Sequence, residues 1–364
     1  MKRLLLFTLV LAACGPSAPP RGQTRTLGPS AADFKVVNGT PTPNDIARFL
    51  AGQPIDNGAA LSQIQQTGNY QDHAAEMGLN WRVFAEKRTA RQRGWADANI
   101  RPMTGNPRVL VYPFGGPDIM HAAALFPATP TYVLIGLEPP GGLPALEQAD
   151  PGAVLSSLRR LDGILESQVK HGYFITKEMK GDLAGGPMPG VTPVLLAQLG
   201  LMGADVRSVQ PTSAAGRSGV DIRFHLPGAG SKQLIYVSGD LSNSGFNGSF
   251  RQWLSSYGGG VAYFKAASYL MHDSGFTGIR DWVLGNCRGV VQDDSGIPYR
   301  YFDSKQWDIR LFGDYDRPIA FFGKHAQSEL AAAYDSIGGG PAIPFGSGYQ
   351  IRPVNANLLI AVKR

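Results

Sequence analysis

Asp118 and His121 stand at i and i+3, directly after the turn Phe114-Gly115-Gly116-Pro117. A helix beginning there turns both side chains to one face, where a carboxylate can orient an imidazole for acid–base work. The same pair also suits a plain structural role, with Asp118 as a negative charge at a helix N-terminus and His121 as a satisfied, partly buried ring. Gln292-Asp293-Asp294-Ser295-Gly296 offers adjacent carboxylates, which share a proton with one pKa raised, or hold a divalent cation. Asp-Asp-Ser-Gly is equally ordinary turn chemistry, and strand neighbours point to opposite faces. Asp293, nearer the apolar run before it, is the candidate of the two. Lys265-Ala266-Ala267-Ser268-Tyr269-Leu270-Met271-His272 contains Lys-x-x-Ser and Ser-x-x-x-His, which join a nucleophile to a base only on a helix. No Gly-x-Ser-x-Gly elbow is present. Asp118, His121 and Asp293 are therefore the candidate catalytic set.

The elements that position these residues begin at Arg108. Val109-Leu110-Val111-Tyr112 is a continuous apolar run of the kind found in strands covered on both faces. Ile119–Phe126 reads as a short helix, and Thr131–Leu137 as a second buried strand ending at Glu138. Together they form a βαβ unit with a parallel pair of strands. Helical patterns follow over 152–170, 176–183 and 194–201, with strands over 205–209, 220–226 and 233–237. The last two strands are joined by the turn Pro227-Gly228-Ala229-Gly230-Ser231. Alternation resumes with a helix over 250–257, a strand over 261–266, a helix over 278–286 and a strand over 289–292. Strands over 307–312 and 358–362 close the chain, antiparallel at an edge. The expected fold is α/β: a three-layer, Rossmann-like domain over 104–364 with a mainly parallel sheet. A small helical lead-in over 44–103 precedes it.

Ligands of open α/β sheets bind outside the carboxyl ends of the strands. Gly115, Gly116, Asp118, Glu138, Asp240, Lys265 and Asp293 all stand at or just past such ends. They are expected to border one crevice. Of these, Gly115, Gly116, Glu138, Asp240 and Lys265 form the candidate ligand-binding set. Lys265 and the helix start near Pro117 favour an anionic or hydroxyl-rich ligand, and the carboxylates accept from its hydroxyls.

The glycine turn feeding a helix, with Glu138 at the end of the next strand, resembles a nucleotide-binding Rossmann half. Class I methyltransferases share this organisation. The resemblance implies an anion-favouring helix start and a ribose-binding acid at Glu138, over about thirty residues. Gly115-Gly116-Pro117 departs from GxGxxG, Pro117 removes an amide donor, and bulky Phe114 precedes the turn. No cofactor is expected.

The N-terminus speaks of location. Lys2 and Arg3 precede the apolar run Leu4–Leu11, which is far too short to span a bilayer. Leu11-Ala12-Ala13-Cys14 follows. The layout is that of a secretory signal peptide, and its last four residues resemble the bacterial lipobox. That resemblance implies cleavage after residue 13 and acylation (a palmitate-type anchor) at Cys14. Gly15, in place of an Asp, leans toward the outer membrane. Residues 14–43, rich in Pro, Gly, Ser, Thr and Ala, read as a flexible tether.

The rest of the composition bounds function. Of 364 residues, 43% are hydrophobic and 10% aromatic, enough for a real core. The net charge of +6 includes the leader's Lys2 and Arg3, and the remaining basic residues are spread along the chain. Lys87, Arg88, Arg91 and Arg93, the densest cluster, read as a solvated helix face. An exported chain meets little nucleic acid, so none is expected as partner. With Cys14 acylated, Cys287 has no disulfide partner and reads as a buried thiol. The six scattered histidines give no metal-ligand spacing. The aromatic segment Tyr299–Trp307, with Tyr315 and Tyr349, serves either core packing or a glycan. Segments such as YPFGGPD are also similar to those of uncharacterised envelope proteins. Two functions are expected: a tethered protein binding a small polar ligand or glycan, or an extracytoplasmic hydrolase or transferase using Asp118, His121 and Asp293.

Overall fold

A computed structural model describes residues 29–174 and 185–364. The expected signal peptide, Cys14 and the helix expected over 176–183 lie outside the described residues. The chain is an α/β protein. Its first part is helical: α1 (Pro43–Leu50), α2 (Ala59–Gln65), α3 (Gly68–Phe84) and α4 (Ala90–Thr104). Thr42 starts α1 with a capping box, its hydroxyl accepting from Asp45 N while Asp45 accepts from Thr42 N. Between α3 and α4 runs a π-helical turn, Ala85–Thr89, the kind of local widening that often marks a functional position.

Within the stretch expected to be a flexible tether, Phe34 and Val37 touch the helices, while most of their neighbours are exposed. Phe34 is 4% exposed, its ring edge-on to Tyr70 at 5.5 Å, and Val37 N donates to Ser62 Oγ at 3.1 Å. Phe34, Val36 and Val37 give no period, and Val36 between the two contacting residues is exposed.

From residue 109 strands and helices alternate. The strands are β1 (Val109–Pro113), β2 (Thr131–Gly136), β3 (Asp205–Ala214), β4 (Arg217–Leu226), β5 (Gly230–Ser238), β6 (Val261–Phe264), β7 (Gly289–Gln292), β8 (Trp307–Gly313) and β9 (Asn357–Lys363). The further helices are α5 (Ile119–Leu125), α6 (Pro151–His171), α7 (Thr192–Leu201), α8 (Gly248–Ser255), α9 (Thr277–Asn286) and α10 (Ser328–Ser336). The nine strands form one mixed sheet in the order β3-β4-β5-β2-β1-β6-β7-β9-β8. The central five are parallel, with β1 and β2 in register from Val109↔Thr131 to Pro113↔Ile135. Antiparallel strands finish both edges: β4 and β3 beyond β5, β9 and β8 beyond β7.

Alternate residues of the central strands enter different cores, as a period of two requires. Leu110, Tyr112, Tyr132, Leu134, Tyr236 and Tyr263 join the core of α1–α7. Val111, Val133, Ile135, Val237 and Phe264 join that of α8, α9 and α10. Burial on both faces explains why these strands read as unbroken apolar runs. From β1 the chain passes to β2 and then to β3, β4 and β5, all on one side of β1, whereas β6 lies on the other. The order therefore reverses at β1, which opens a crevice beyond the carboxyl ends of β1 and β6.

Candidate functional site

A cavity of about 400 Å³ occupies that crevice. Gly115, Gly116 and Asp118 border it from the end of β1, Glu138 from β2, Asp240 from β5 and Lys265 from β6. Apolar groups form most of the wall, among them Phe114, Leu241, Phe276, Phe174 and Tyr349, a combination usual for small-molecule sites. His121 and Asp293 do not reach the cavity.

Glu138 is buried, and its Oε2 accepts from Leu137 N at 3.1 Å and from Tyr236 OH at 3.3 Å. The strand ends come this close because residue 136 is glycine: a Cβ there would lie 2.7 Å from Glu138 Oε2 and 3.0 Å from Gly116 Cα. Asp240 is exposed and closes its own turn, accepting from Ser242 N and Ser242 Oγ, each at 2.8 Å.

Asp118 is the hub of a buried polar cluster. It caps α5, accepting from His121 N at 3.4 Å. Its carboxylate also accepts from Tyr112 OH (3.0 Å), Gln168 Nε2 (2.8 Å) and the Lys265 ammonium. His121 Nδ1 lies 2.8 Å from Asp118 Oδ1 and 2.9 Å from Lys265 Nζ. Gln198 links Gln168 to the turn, donating to Gln168 Oε1 and Pro117 O and accepting from Ile119 N. Burial alone would raise the Asp118 carboxyl, but the adjoining His121 and Lys265 outweigh it and hold it well below the usual range. Burial lowers His121 to about 4, so its ring is neutral at neutral pH. Burial also pushes Lys265 down, against the pull of Asp118 and with a further push from Arg88.

Lys87, Arg91 and Arg93 are exposed, as a solvated helix face requires, and only Arg88 departs from it. Arg88 lies in the π-helical turn and is half-buried, with the ring of Phe84 5.8 Å from its guanidinium carbon and its charge favoured by Asp118.

The Asp293–Asp294 segment is buried rather than solvated. Asp293 Oδ2 accepts from Ala266 N at 2.8 Å, and Oδ1 from Ser295 N and Ser295 Oγ. Asp294 accepts from Tyr269 OH and Asn357 Nδ2, and Ser295 Oγ accepts from Ala267 N at 2.7 Å. Burial, helped by the neighbouring Asp294, raises Asp293 to about 7. The two carboxylates bind separate donors and share no open point, and among the described residues no His, Cys, Asp or Glu cluster is placed to hold a metal ion.

Their partners are the residues after β6. Ala266, Ser268 and Tyr269 have φ of 51°, 53° and 55°, and Phe114 across the crevice has 62°. These are left-handed conformations that side chains disfavour. Four of the five non-glycine residues of this kind among the described residues thus belong to the crevice loops; the other, Ala215, turns a hairpin. Tyr349 completes the clamp. Its hydroxyl accepts from Ser268 N at 3.1 Å, donates to Ala266 O at 2.9 Å, and lies 3.0 Å from Ser268 Oγ. The loop is not helical, so neither spacing seen in the sequence joins a serine to a base.

Asp118, His121 and Asp293 accordingly do not converge on a common reacting point: Asp118 faces the crevice, His121 lies behind it, and Asp293 underpins the loop. Sequence reasoning missed Arg88, Gln168 and Gln198. Gln198, alone in the run Val194–Leu201, carried a signal, since a fully buried amide needs partners. Of the aromatics weighed for a glycan, Phe302, Trp307 and Tyr315 are core residues, whereas Tyr349 lines the crevice. Cys287 is buried, its thiol pushed up to about 12 by burial. The chain matches no family model, no curated protein and no solved structure.

Proposed function

We propose that this chain is a lipoprotein of the bacterial envelope, held by an acyl anchor on Cys14 to the outer membrane, on its periplasmic or its cell-surface face. Its domain, read as a three-layer Rossmann-like fold, binds a small polar, hydroxyl-rich ligand such as a saccharide fragment. One observation carries the binding reading: Gly115, Gly116, Glu138, Asp240 and Lys265, from the ends of four adjacent parallel strands, border one mostly apolar cavity. Such a cavity supplies contact area while a few polar groups set orientation. Glu138 is its acceptor for ligand hydroxyls. An anionic ligand is less well supported, because the Lys265 charge is already paired with Asp118. Acid–base catalysis by Asp118, His121 and Asp293 lacks the shared reacting point it requires.

The test is a thermal-shift screen of the full chain in detergent against saccharide fragments, with nucleotides and divalent cations as competitors. A ligand at 100 times its Kd adds about 2.7 kcal/mol. Stabilisation by a saccharide that disappears in Glu138→Ala supports the reading. A hit indifferent to Glu138→Ala moves the site out of this crevice. Cys14→Ser should release the protein from membranes, and an unchanged membrane fraction would remove the anchor.

A further inference from the structure

Among the described residues, Lys265 is the buried lysine that borders the cavity. Lys232, also buried, spends its ammonium on Pro127 O and Thr129 O at the opposite ends of the strands. Lys265 directly follows β6 and meets Asp118 and His121 beneath the crevice floor. The loop that follows holds disfavoured backbone at Ala266, Ser268 and Tyr269. Asp293, Ser295, Asp294 and Tyr349 each supply a hydrogen bond that keeps it there. That many fixed partners around a simple strand-to-loop connection argues for a position that must be kept. What they keep in place is the approach of an amine to a ligand cavity, with Asp118 and His121 as its hydrogen-bond partners.

We infer that Lys265 captures a carbonyl group, so that the ligand of the crevice is a hydroxylated aldehyde or ketone, such as the open-chain form of a sugar, held as an imine. The inference rests on the binding reading above and names the substrate class of that same site.

The chemistry balances without an oxidant or reductant. The Lys265 ammonium, hydrogen-bonded to Asp118 and His121, gives one proton to water in the cavity. The freed amine attacks the carbonyl carbon, forming a C–N bond while the π electrons move to oxygen, which takes a proton. The nitrogen then loses its second proton, the hydroxyl leaves as water, and C=N forms. Amine and carbonyl become imine and water. Asp118 compensates the charge when the imine is protonated. The lowered proton affinity of Lys265, caused by its burial, favours the free amine that this step needs. Glu138 accepts from the ligand's hydroxyls. Asp293, which touches the loop and not the ligand, is a positioning residue.

The experiment incubates the full chain in detergent with glycolaldehyde, quenches with sodium borohydride, which fixes an imine as a secondary amine, and maps the modified lysines by peptide mass spectrometry. At limiting probe, Lys265 should gain a hydroxyethyl group at least tenfold faster than exposed Lys87, Lys170 or Lys305. Lys265→Arg, which preserves the charge beside Asp118, should remove that adduct only. Ethylene glycol, with the hydroxyls but no carbonyl, should slow labelling only at large excess. Labelling spread evenly over exposed lysines, with Lys265 unmodified, overturns the inference. If saccharides still stabilise the chain in a Glu138-dependent way while Lys265 stays unmodified, the crevice binds hydroxyls and the imine is wrong. If neither occurs, both readings fall. The wild-type map decides the matter even where Lys265→Arg does not fold.

Discussion

Asp293 shows what a residue owes to its surroundings. Its raised pKa comes first from burial and then from Asp294, and three hydrogen bonds only partly offset them. In the unfolded chain the carboxyl titrates near 3.9. Between that value and about 7 the native state holds a proton that the unfolded state has lost, so stability falls as pH rises. The contribution is fully present below the unfolded pKa and is lost as pH passes the folded one. Urea unfolding of the wild type should therefore give a midpoint that declines from pH 5 to pH 8, by an amount on the order of a few kcal/mol. Asp293→Asn should flatten that decline, and an equal slope in the variant would refute the account. Asp118 has the opposite sign: its depressed carboxyl contributes stability that is lost as pH falls below the usual carboxylate range. Gly348 belongs to the same story. It has φ +56°, and a Cβ there would stand 1.8 Å from Asp293 Oδ2. Gly348→Ala should destabilise by about 2 kcal/mol or more, since both strain and a displaced buried carboxylate follow.

At the scale of elements, the sequence and the structure agree wherever burial is two-sided. Val109–Tyr112, Tyr132–Ile135 and Val261–Phe264 are apolar throughout because alternate residues are buried in two separate cores, and that alone makes a strand legible. The ends of those strands were legible as well, since Gly115, Glu138, Asp240 and Lys265 follow or finish apolar runs. Partnership across elements was not legible. Arg88 reads as one charge among several, and its spacing does not tell that it is half-buried and electrostatically coupled to Asp118 while Lys87, Arg91 and Arg93 are exposed. Asp293 and Asp294 have turn-like neighbours, and what buries them is Gly348, Asn357 and Tyr269, which are remote in sequence. Spacing encodes a local period, whereas these contacts depend on register between distant segments. The same reasoning gives a test of the crevice walls. Gly136→Ala should press on Glu138 and Gly116, reducing any Glu138-dependent ligand stabilisation at least tenfold in Kd while the chain still folds. Unaltered affinity would mean that the ligand does not use this end of β2.

For the whole molecule, a single aromatic ring, Phe34, extends the packed structure to the N-terminal side of α1. Composition places the start of folded structure near residue 44, yet Phe34 is buried against Tyr70. Gln66 Nε2 donates to Phe34 O at 2.8 Å, and Gly58 N to Asn38 O at 3.4 Å. Tyr70 is itself held under α1, donating to Phe49 O at 2.8 Å, so Phe34 covers the joint between the first helices. Those helices in turn pack on α7 and β3, where Asn44 Oδ1 accepts from Val206 N at 3.0 Å and Gln53 Nε2 donates to Gly200 O at 2.9 Å. A residue far from the crevice thus supports the helical layer against which Gln168 and Gln198 position Asp118. Removing a buried phenylalanine side chain costs about 3–5 kcal/mol. A chain beginning at residue 44 should therefore unfold at a lower urea concentration than one beginning at residue 29, with an m-value that changes little. Phe34→Ala in the longer chain should reproduce most of that loss, and Lys35→Ala, an exposed neighbour, almost none. Equal midpoints for the two chains would return residues 29–43 to the tether and leave the domain starting at α1.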